Sequence, residues 1–118
     1  MNIYEHLWHD GAVIYRSVYI NADFGFCKVN IYEDGVAELY DLIVYPAYRG
    51  KGFGKKLLDE AKRKAQEYNC SYLAIWPDCE PWVEEWYKRL GFYPHPNFRN
   101  KVGELGWAKK LQRLRKGR

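Results

Sequence analysis

Apolar and polar positions alternate along the chain as far as Tyr45, and from Phe53 onward they recur every three or four residues. Alternation of period two predicts strands, and the longer spacing predicts a helix. Residues 12–20 and 24–32 read as strands, parted by Asn21-Ala22-Asp23 and followed by the turn Glu33-Asp34-Gly35. Asp10-Gly11 signals an earlier turn, and a short first strand fits around residues 3–8. Leu42, Ile43, Val44 and Tyr45 close the next strand, and Pro46 stops it because proline has no N–H for the ladder. Three antiparallel strands are therefore expected before the glycine-rich turn that follows. Phe53, Leu57, Leu58, Ala61, Ala65 and Tyr68 predict a helix over residues 53–68. Residues 71–76 form the next strand, ended by Pro77. A strand–helix–strand unit of this length predicts a right-handed parallel crossover. Asp78 is placed to cap a second helix with Pro81 in its first turn. Trp82, Val83, Trp86, Tyr87 and Leu90 make its inward face, and Gly91 ends it. Phe92-Tyr93 and residues 105–111 are the expected last two strands, joined by the loop P-H-P-N-F-R-N-K-V-G.

Composition sharpens this picture in three ways. The 118 residues are 47% hydrophobic, enough for one packed domain and against disorder. The net charge of +4 belongs to the C-terminus: the last ten residues hold six Lys or Arg and no acid, so the remainder carries 13 bases and 15 acids. Residues 1–111 read as the domain and 112–118 as a basic tail. Cys27, Cys70 and Cys79 are odd in number and lack a C-x-x-C pair, which argues against a disulfide scaffold or a zinc site and fits a reducing compartment. No metal site is expected. No basic n-region with an apolar h-region opens the chain, and no apolar run nears the roughly 20 residues that span a bilayer. A cytoplasmic protein is expected.

The chemistry concentrates in V-A-E-L-Y-D-L-I-V-Y-P-A-Y-R-G-K-G-F-G-K-K-L-L, residues 36–58. A strand delivers Gly50, Gly52 and Gly54 to a helix start. Glycine tolerates positive φ and lets a ligand approach the backbone. The helix N-terminus carries unpaired N–H groups and partial positive charge, so the turn is an anion site, most often for phosphate. It is not a Walker loop, because Lys55 stands where the second glycine is required, and it is not G-x-G-x-x-G. It is R-x-x-G-x-G, as Arg49, Gly52 and Gly54.

With V-Y-P before it and K-K-L-L after it, this motif resembles motif A of the GNAT acetyltransferase superfamily. W-Y-K-R-L-G-F, residues 86–92, is similar to that family's Y-x-x-x-G-F signature, and W-A-K-K-L, residues 107–111, to its closing strand. The resemblance covers about residues 12–111 within the boundary error of such readings. It implies an α/β (α+β) fold: the GNAT acyl-CoA N-acyltransferase fold, a mixed, mostly antiparallel sheet with a βαβ crossover. Too few residues precede residue 12 for the family's usual two N-terminal helices, so these are reduced or absent. The family's usual Asn and Ala before the second-helix tyrosine are Glu80 and Val83 here, so no Asn contact carries over.

The resemblance implies direct acetyl transfer from acetyl-CoA to a primary amine of a small molecule, peptide or protein. Leu42, Ile43 and Val44 would pair with the pantetheine arm, with the Leu42 N–H at the thioester carbonyl. Arg49, Gly50, Lys51, Gly52, Phe53, Gly54 and Lys55 would hold the pyrophosphate. Tyr87 would protonate the leaving thiolate. Glu38 resembles the strand glutamate that some members use as base, with Asp41 as second choice and His95 the histidine to test. Simple alternation puts Glu38, Tyr40 and Leu42 on one strand face and Leu39, Asp41 and Ile43 on the other. Trp76, Trp82 and Trp86 could line a pocket, although aromatics at helical spacing are usually core. Two other functions stay open: a non-catalytic acyl-CoA-binding module, and a nucleic-acid or ribosome-associated protein gripping phosphates through its basic tail.

Overall fold

The computed structural model describes residues 1–77, 80–99 and 105–113. Asp78, Cys79 and the tail beyond Arg113 lie outside the described residues. The chain runs β1 (Asn2–Asp10), β2 (Val13–Ala22), β3 (Gly25–Tyr32), β4 (Val36–Val44), one 3₁₀ turn (Pro46–Tyr48), α1 (Phe53–Glu67), β5 (Tyr72–Ile75), α2 (Pro81–Arg89), β6 (Tyr93–Arg99) and β7 (Leu105–Lys110). Seven strands form one sheet in the order β1-β2-β3-β4-β5-β7-β6. Only β4 and β5 pair in parallel, on either side of the α1 crossover. β1 turns straight into β2, with Asp10 opposite Val13, so no helix stands between the first two strands. Four strands, not three, therefore precede the glycine turn.

α1 covers one sheet face. Leu57, Leu58, Ala61 and Ala65 pack onto Val18, Ile20, Cys27, Val29, Ile31, Ala37 and Leu39. Glu5 ties the edge to the helix by ion-pairing with Arg16 at 3.5 Å and Lys64 at 3.6 Å and accepting from the Tyr68 hydroxyl.

Three expectations change. β6 continues through Pro94 and Pro96 to Arg99, so His95 lies in a strand and not in a loop. This is permitted because β6 is the sheet edge, where a missing N–H breaks no ladder. Trp82 is 68% exposed and leaves the inward face of α2, whose N-cap is Glu80. The face assignment along β4 also changes. Val29 pairs with Leu39 and Lys28 with Asp41, so Tyr40 is an extra residue opposite the Lys28–Val29 step. Such a bulge shifts the alternation by one. Leu39 and Leu42 both face α1, opposite the core residues Val29 and Cys27, and Glu38 and Asp41 share the opposite face.

Candidate active site

β4 and β5 are paired only from Val36–Tyr72 to Glu38–Ala74, and beyond Glu38 they part. The fork leaves backbone groups without a strand partner. Their direction follows from one bond: the Tyr45 N–H donates to the Phe24 carbonyl at 2.9 Å, toward β3. Backbone groups of successive residues point to opposite sides of a strand. Ile43 and Asp41 therefore also turn toward β3, whereas Leu42 and Val44 turn toward the fork. The Arg49 Nε, donating to the Val44 carbonyl at 3.0 Å, meets that carbonyl on the fork side.

The fork opens into a half-open groove of about 820 Å³, within the roughly 300–1,000 Å³ of small-molecule sites. Along its β4 wall run Leu39 to Val44, and along its β5 wall Ile75 to Pro77. The glycine turn closes one end. Gly50 and Gly52 adopt φ of 76° and 83°, and a Cβ at either would meet no protein atom within 4 Å. The space beside them is open to a ligand. Gly52 caps α1 with no side-chain hydrogen bond, and no acid sits in the first turn. The N–H groups there face the groove end unopposed by negative charge. Phe53 is seated by Phe24 at 4.3 Å and Tyr48 at 5.8 Å between ring centroids. The Lys55 ammonium pairs with Asp59 at 3.0 Å.

α2 forms the other wall through Val83, Trp86 and Tyr87. Tyr87 is the one buried residue of α2, with Trp86 at 4.9 Å and Phe92 at 5.4 Å edge-on to its ring. Trp82 stands at the rim, its indole N–H donating to the Glu80 carboxylate.

The groove thus collects Tyr87, Asp41, Leu42, Ile43, Val44, Arg49, Gly50, Gly52, Phe53, Gly54 and Lys55 of the expected residues; Glu38 and Lys51 do not line it. Glu38 is at the apex of the fork, half-buried, and burial raises its carboxyl above the ordinary range. His95 packs edge-on against Tyr72 at 5.3 Å and Phe98 at 4.8 Å, away from the groove. Tyr48 and Glu80 line the groove but carried no ligand role in the sequence reading. For Tyr48 the signal was available: an aromatic directly before the R-G-K-G turn. Burial pushes the Cys27 thiol up to about 12 and the Cys70 thiol to about 11, so neither is a nucleophile at neutral pH. Among the described residues no group of three His, Cys, Asp or Glu is arranged to hold a metal ion, and no helix is long and apolar enough to cross a membrane.

A seven-stranded sheet forked at its parallel pair, with a glycine turn at the fork's open end, is the framework of an acyl-CoA transferase class. Residues 5–94 match the family model described as the acetyltransferase (GNAT) domain. The chain belongs to the GNAT family. It is 31% identical over 86 residues to an uncharacterized N-acetyltransferase of Methanocaldococcus jannaschii, covering 72% of this chain and 35% of that protein. It is 32% identical over 60 residues to a histone acetyltransferase of Glycine max, covering 51% of this chain and 25% of that protein. The chain therefore spans about a third of the length of such relatives. Among solved structures, Tetrahymena GCN5 superposes with a TM-score of 0.67 at 19% identity, over 85% of this chain and 70% of that one. The PaiA N-acetyltransferase of Thermoplasma acidophilum, solved with coenzyme A, superposes with a TM-score of 0.63 at 22% identity, over 84% and 61%. At these identities the structural likeness establishes the fold.

Proposed function

We propose that this domain transfers an acetyl group from acetyl-CoA to a primary amine by direct attack, with residues 1–111 as the working unit and residues 112–118 as an appended tail. The observation that carries the reading is the fork, with its outward-facing Leu42 and Val44 backbone groups and the uncapped glycine turn at its end. Acetyl-CoA, when bound, supplies the thioester that is attacked. The turn from Arg49 to Lys55 fits its pyrophosphate, because Gly50 and Gly52 leave room and the α1 N-terminus favours negative charge. Leu42 and Val44 offer strand-like pairing to an amide-bearing arm. The Leu42 N–H, rigidly held, is the candidate donor to the oxyanion. Arg49 acts here through its bond to Val44, which holds the turn against the strand end.

An acceptor amine is protonated at neutral pH, so it must lose a proton before it attacks. Glu38 is the proposed base: the carboxyl raised by burial is a stronger base than an exposed one. Asp41 lies on the same face, exposed and opposite Lys28. Tyr87 is the proposed acid that returns a proton to the leaving thiolate. The acceptor approaches over the sheet face that α1 does not cover, where no N-terminal helix forms a wall. Cys27 and Cys70, free and buried, fit a reducing, cytoplasmic setting.

Gly52→Glu tests the reading. A carboxylate placed in the anion site repels phosphate, so acetyl-CoA binding measured by calorimetry should be lost in a variant that still folds. Unchanged affinity would remove the phosphate-cradle reading. Binding by the unaltered protein without thioester consumption, over a panel of amines and peptides, would favour a non-catalytic binding module.

A further inference from the structure

The two edges of the sheet are built in opposite ways. At β6, Pro94 and Pro96 interrupt the strand, and its pairing with β7 slips between Pro94 and Arg99. Prolines and slips of this kind keep an edge from taking on another strand. The β1 edge has none of them. Its nine residues pair with β2 without a shift and include neither proline nor lysine. All are exposed, the large apolar residues Ile3, Tyr4, Leu7 and Trp8 among them. A long, regular, apolar edge is a template for one more strand.

The hairpin decides which backbone groups that edge offers. Asp10 stands opposite Val13 across the loop Gly11-Ala12, so these two form the first hydrogen-bonded pair of the ladder. Every second residue follows suit, and Asn2, Tyr4, His6 and Trp8 also bond to β2. The next hairpin agrees. Ala22 stands opposite Gly25, which turns the even-numbered residues of β2 to β3 and leaves the odd-numbered ones for β1. Ile3, Glu5, Leu7 and His9 therefore hold their N–H and C=O groups outward from the edge.

The side chains at this edge are already set. Tyr4 is stacked on Tyr19 at 4.8 Å, on the open face, and His6 meets Trp8 edge-on at 4.2 Å. The Trp8 indole N–H donates to the Ser17 Oγ at 3.0 Å, and the Ser17 hydroxyl donates to the Asn30 Oδ1 at 2.6 Å. Both Ser17 and Asn30 are buried, so the Trp8 ring is fixed before any partner arrives. Ile3 and Leu7 lie on the other face and are not sealed by α1.

We infer that the β1 edge pairs with the β1 edge of a second copy of this chain, antiparallel, about a two-fold axis at His6. Outward groups bond only to outward groups, and the register centred on His6 uses all of them. It sets Ile3 opposite His9 of the copy and Glu5 opposite Leu7. Any other centre leaves some unpaired, and a centre at Glu5 also sets that carboxylate against itself. Around His6 no like charges meet, because Asp10 falls opposite Asn2. Tyr4 falls opposite Trp8 of the copy, which places one aromatic pair on each side of the axis. Leu7 is diagonal to its own counterpart, so the unsealed aliphatics converge. His6 meets itself, and a neutral imidazole carries both a donor and an acceptor. A strand whose outward groups, rings and charges match its own inverse selects a second copy over an unrelated strand. The fork lies beyond β3 from this edge, so both grooves stay open.

Sedimentation of the full chain tests the inference. The mass should be twice 14.1 kDa at micromolar concentration and fall on dilution. A single species of 14.1 kDa at every concentration overturns the inference. Leu7→Pro removes an outward N–H that β2 does not use, so it should fold, as circular dichroism checks, and sediment as a monomer. Tyr4→Ser leaves the ladder intact and covers the case in which the proline variant does not fold. It should weaken association roughly tenfold, through the loss of both aromatic pairs. Tyr93→Ser, at the β6 edge, should leave association unchanged, and a dimer that it dissolves while Leu7→Pro does not overturns the inference. The register has its own readout. At the axis two Cα atoms face each other at about 4.5 Å, within disulfide reach. Under oxidation His6→Cys should form a linked dimer beyond the level of the parent chain, and Tyr4→Cys should not. The reverse pattern overturns the pairing.

Discussion

The two faces of the sheet are built from the same strands and behave oppositely. Toward α1, alternate residues of β2, β3 and β4 are aliphatic and sealed: Val18, Ile20, Val29 and Ala37 have no exposed surface. On the other face the intervening residues are Tyr15, Tyr19, Tyr32 and Tyr40, with Ser17 and Asn30 among them. β1 adds Tyr4, stacked on Tyr19 at 4.8 Å, and Trp8. Aliphatic side chains lose nothing when sealed, whereas a tyrosine keeps an apolar body and a wet hydroxyl. The first face can only be covered. The second can stand open, hold a polar chain and meet an incoming molecule. The sealed face and the open polar face are thus half a turn of the strand apart, and the fork is where the two meet.

The largest expected effects break the chemistry at the groove, first at Tyr87, whose ring belongs to the covered core and whose hydroxyl is the group removed. Tyr87→Phe keeps the ring and its packing, and turnover should fall roughly 10²–10⁴-fold if the hydroxyl protonates the thiolate. The KM for acetyl-CoA should change little, because the lost interaction matters in the transition state. Full activity with reduced stability would make Tyr87 a core residue only. Glu38→Gln should lower turnover by a similar factor.

Next in size is the covered face. Leu57 of α1 is fully buried against the sheet, and Leu57→Ala should cost about 2–5 kcal/mol in chemical denaturation. The fraction that remains folded should keep its turnover. A turnover loss beyond the loss of folded protein would break the division of labour.

A smaller effect has a definite sign with pH. The Glu38 carboxyl is raised in the fold, so the folded state holds its proton more tightly than the unfolded chain. The stability this provides is present below the ordinary carboxylate range and is lost as pH rises through the raised value. Glu38→Gln should therefore melt higher than the parent at neutral pH, with the difference vanishing in acid. A lower melting temperature at neutral pH would mean that the ionised carboxylate has a partner. The smallest effect is expected at the open edge: Tyr4, 57% exposed, changed to Ser should shift stability by about 0.5 kcal/mol or less.

Much of this was legible in the residues. The α1 stripe, the Gly91 stop and R-x-x-G-x-G are local patterns, because backbone φ, helical period and proline chemistry act over a few neighbouring residues. Gly91 adopts φ of 94° and ends α2 as its position predicts. The bulge at Tyr40 was not legible. It depends on which residue of β3 pairs with which residue of β4, and it puts Glu38 and Asp41 on one face where alternation had parted them. Trp82 was misplaced for a related reason: helical spacing states which residues share a stripe, not what lies opposite it.

The sequence by itself determined the family, the glycine turn, the helix that covers the sheet and the tyrosine at the groove. Those depend on contacts between chain neighbours or on motifs whose chemistry is local. Only the tertiary structure decided that β6 is an edge able to carry two prolines, that Leu42 and Val44 aim their backbone groups into the fork, and that Trp8, Ser17 and Asn30 join in one hydrogen-bonded chain across the sheet. Each of these is a matter of register between strands distant in sequence. Pairing energy and packing over the whole sheet set that register, and no single stretch of residues contains it.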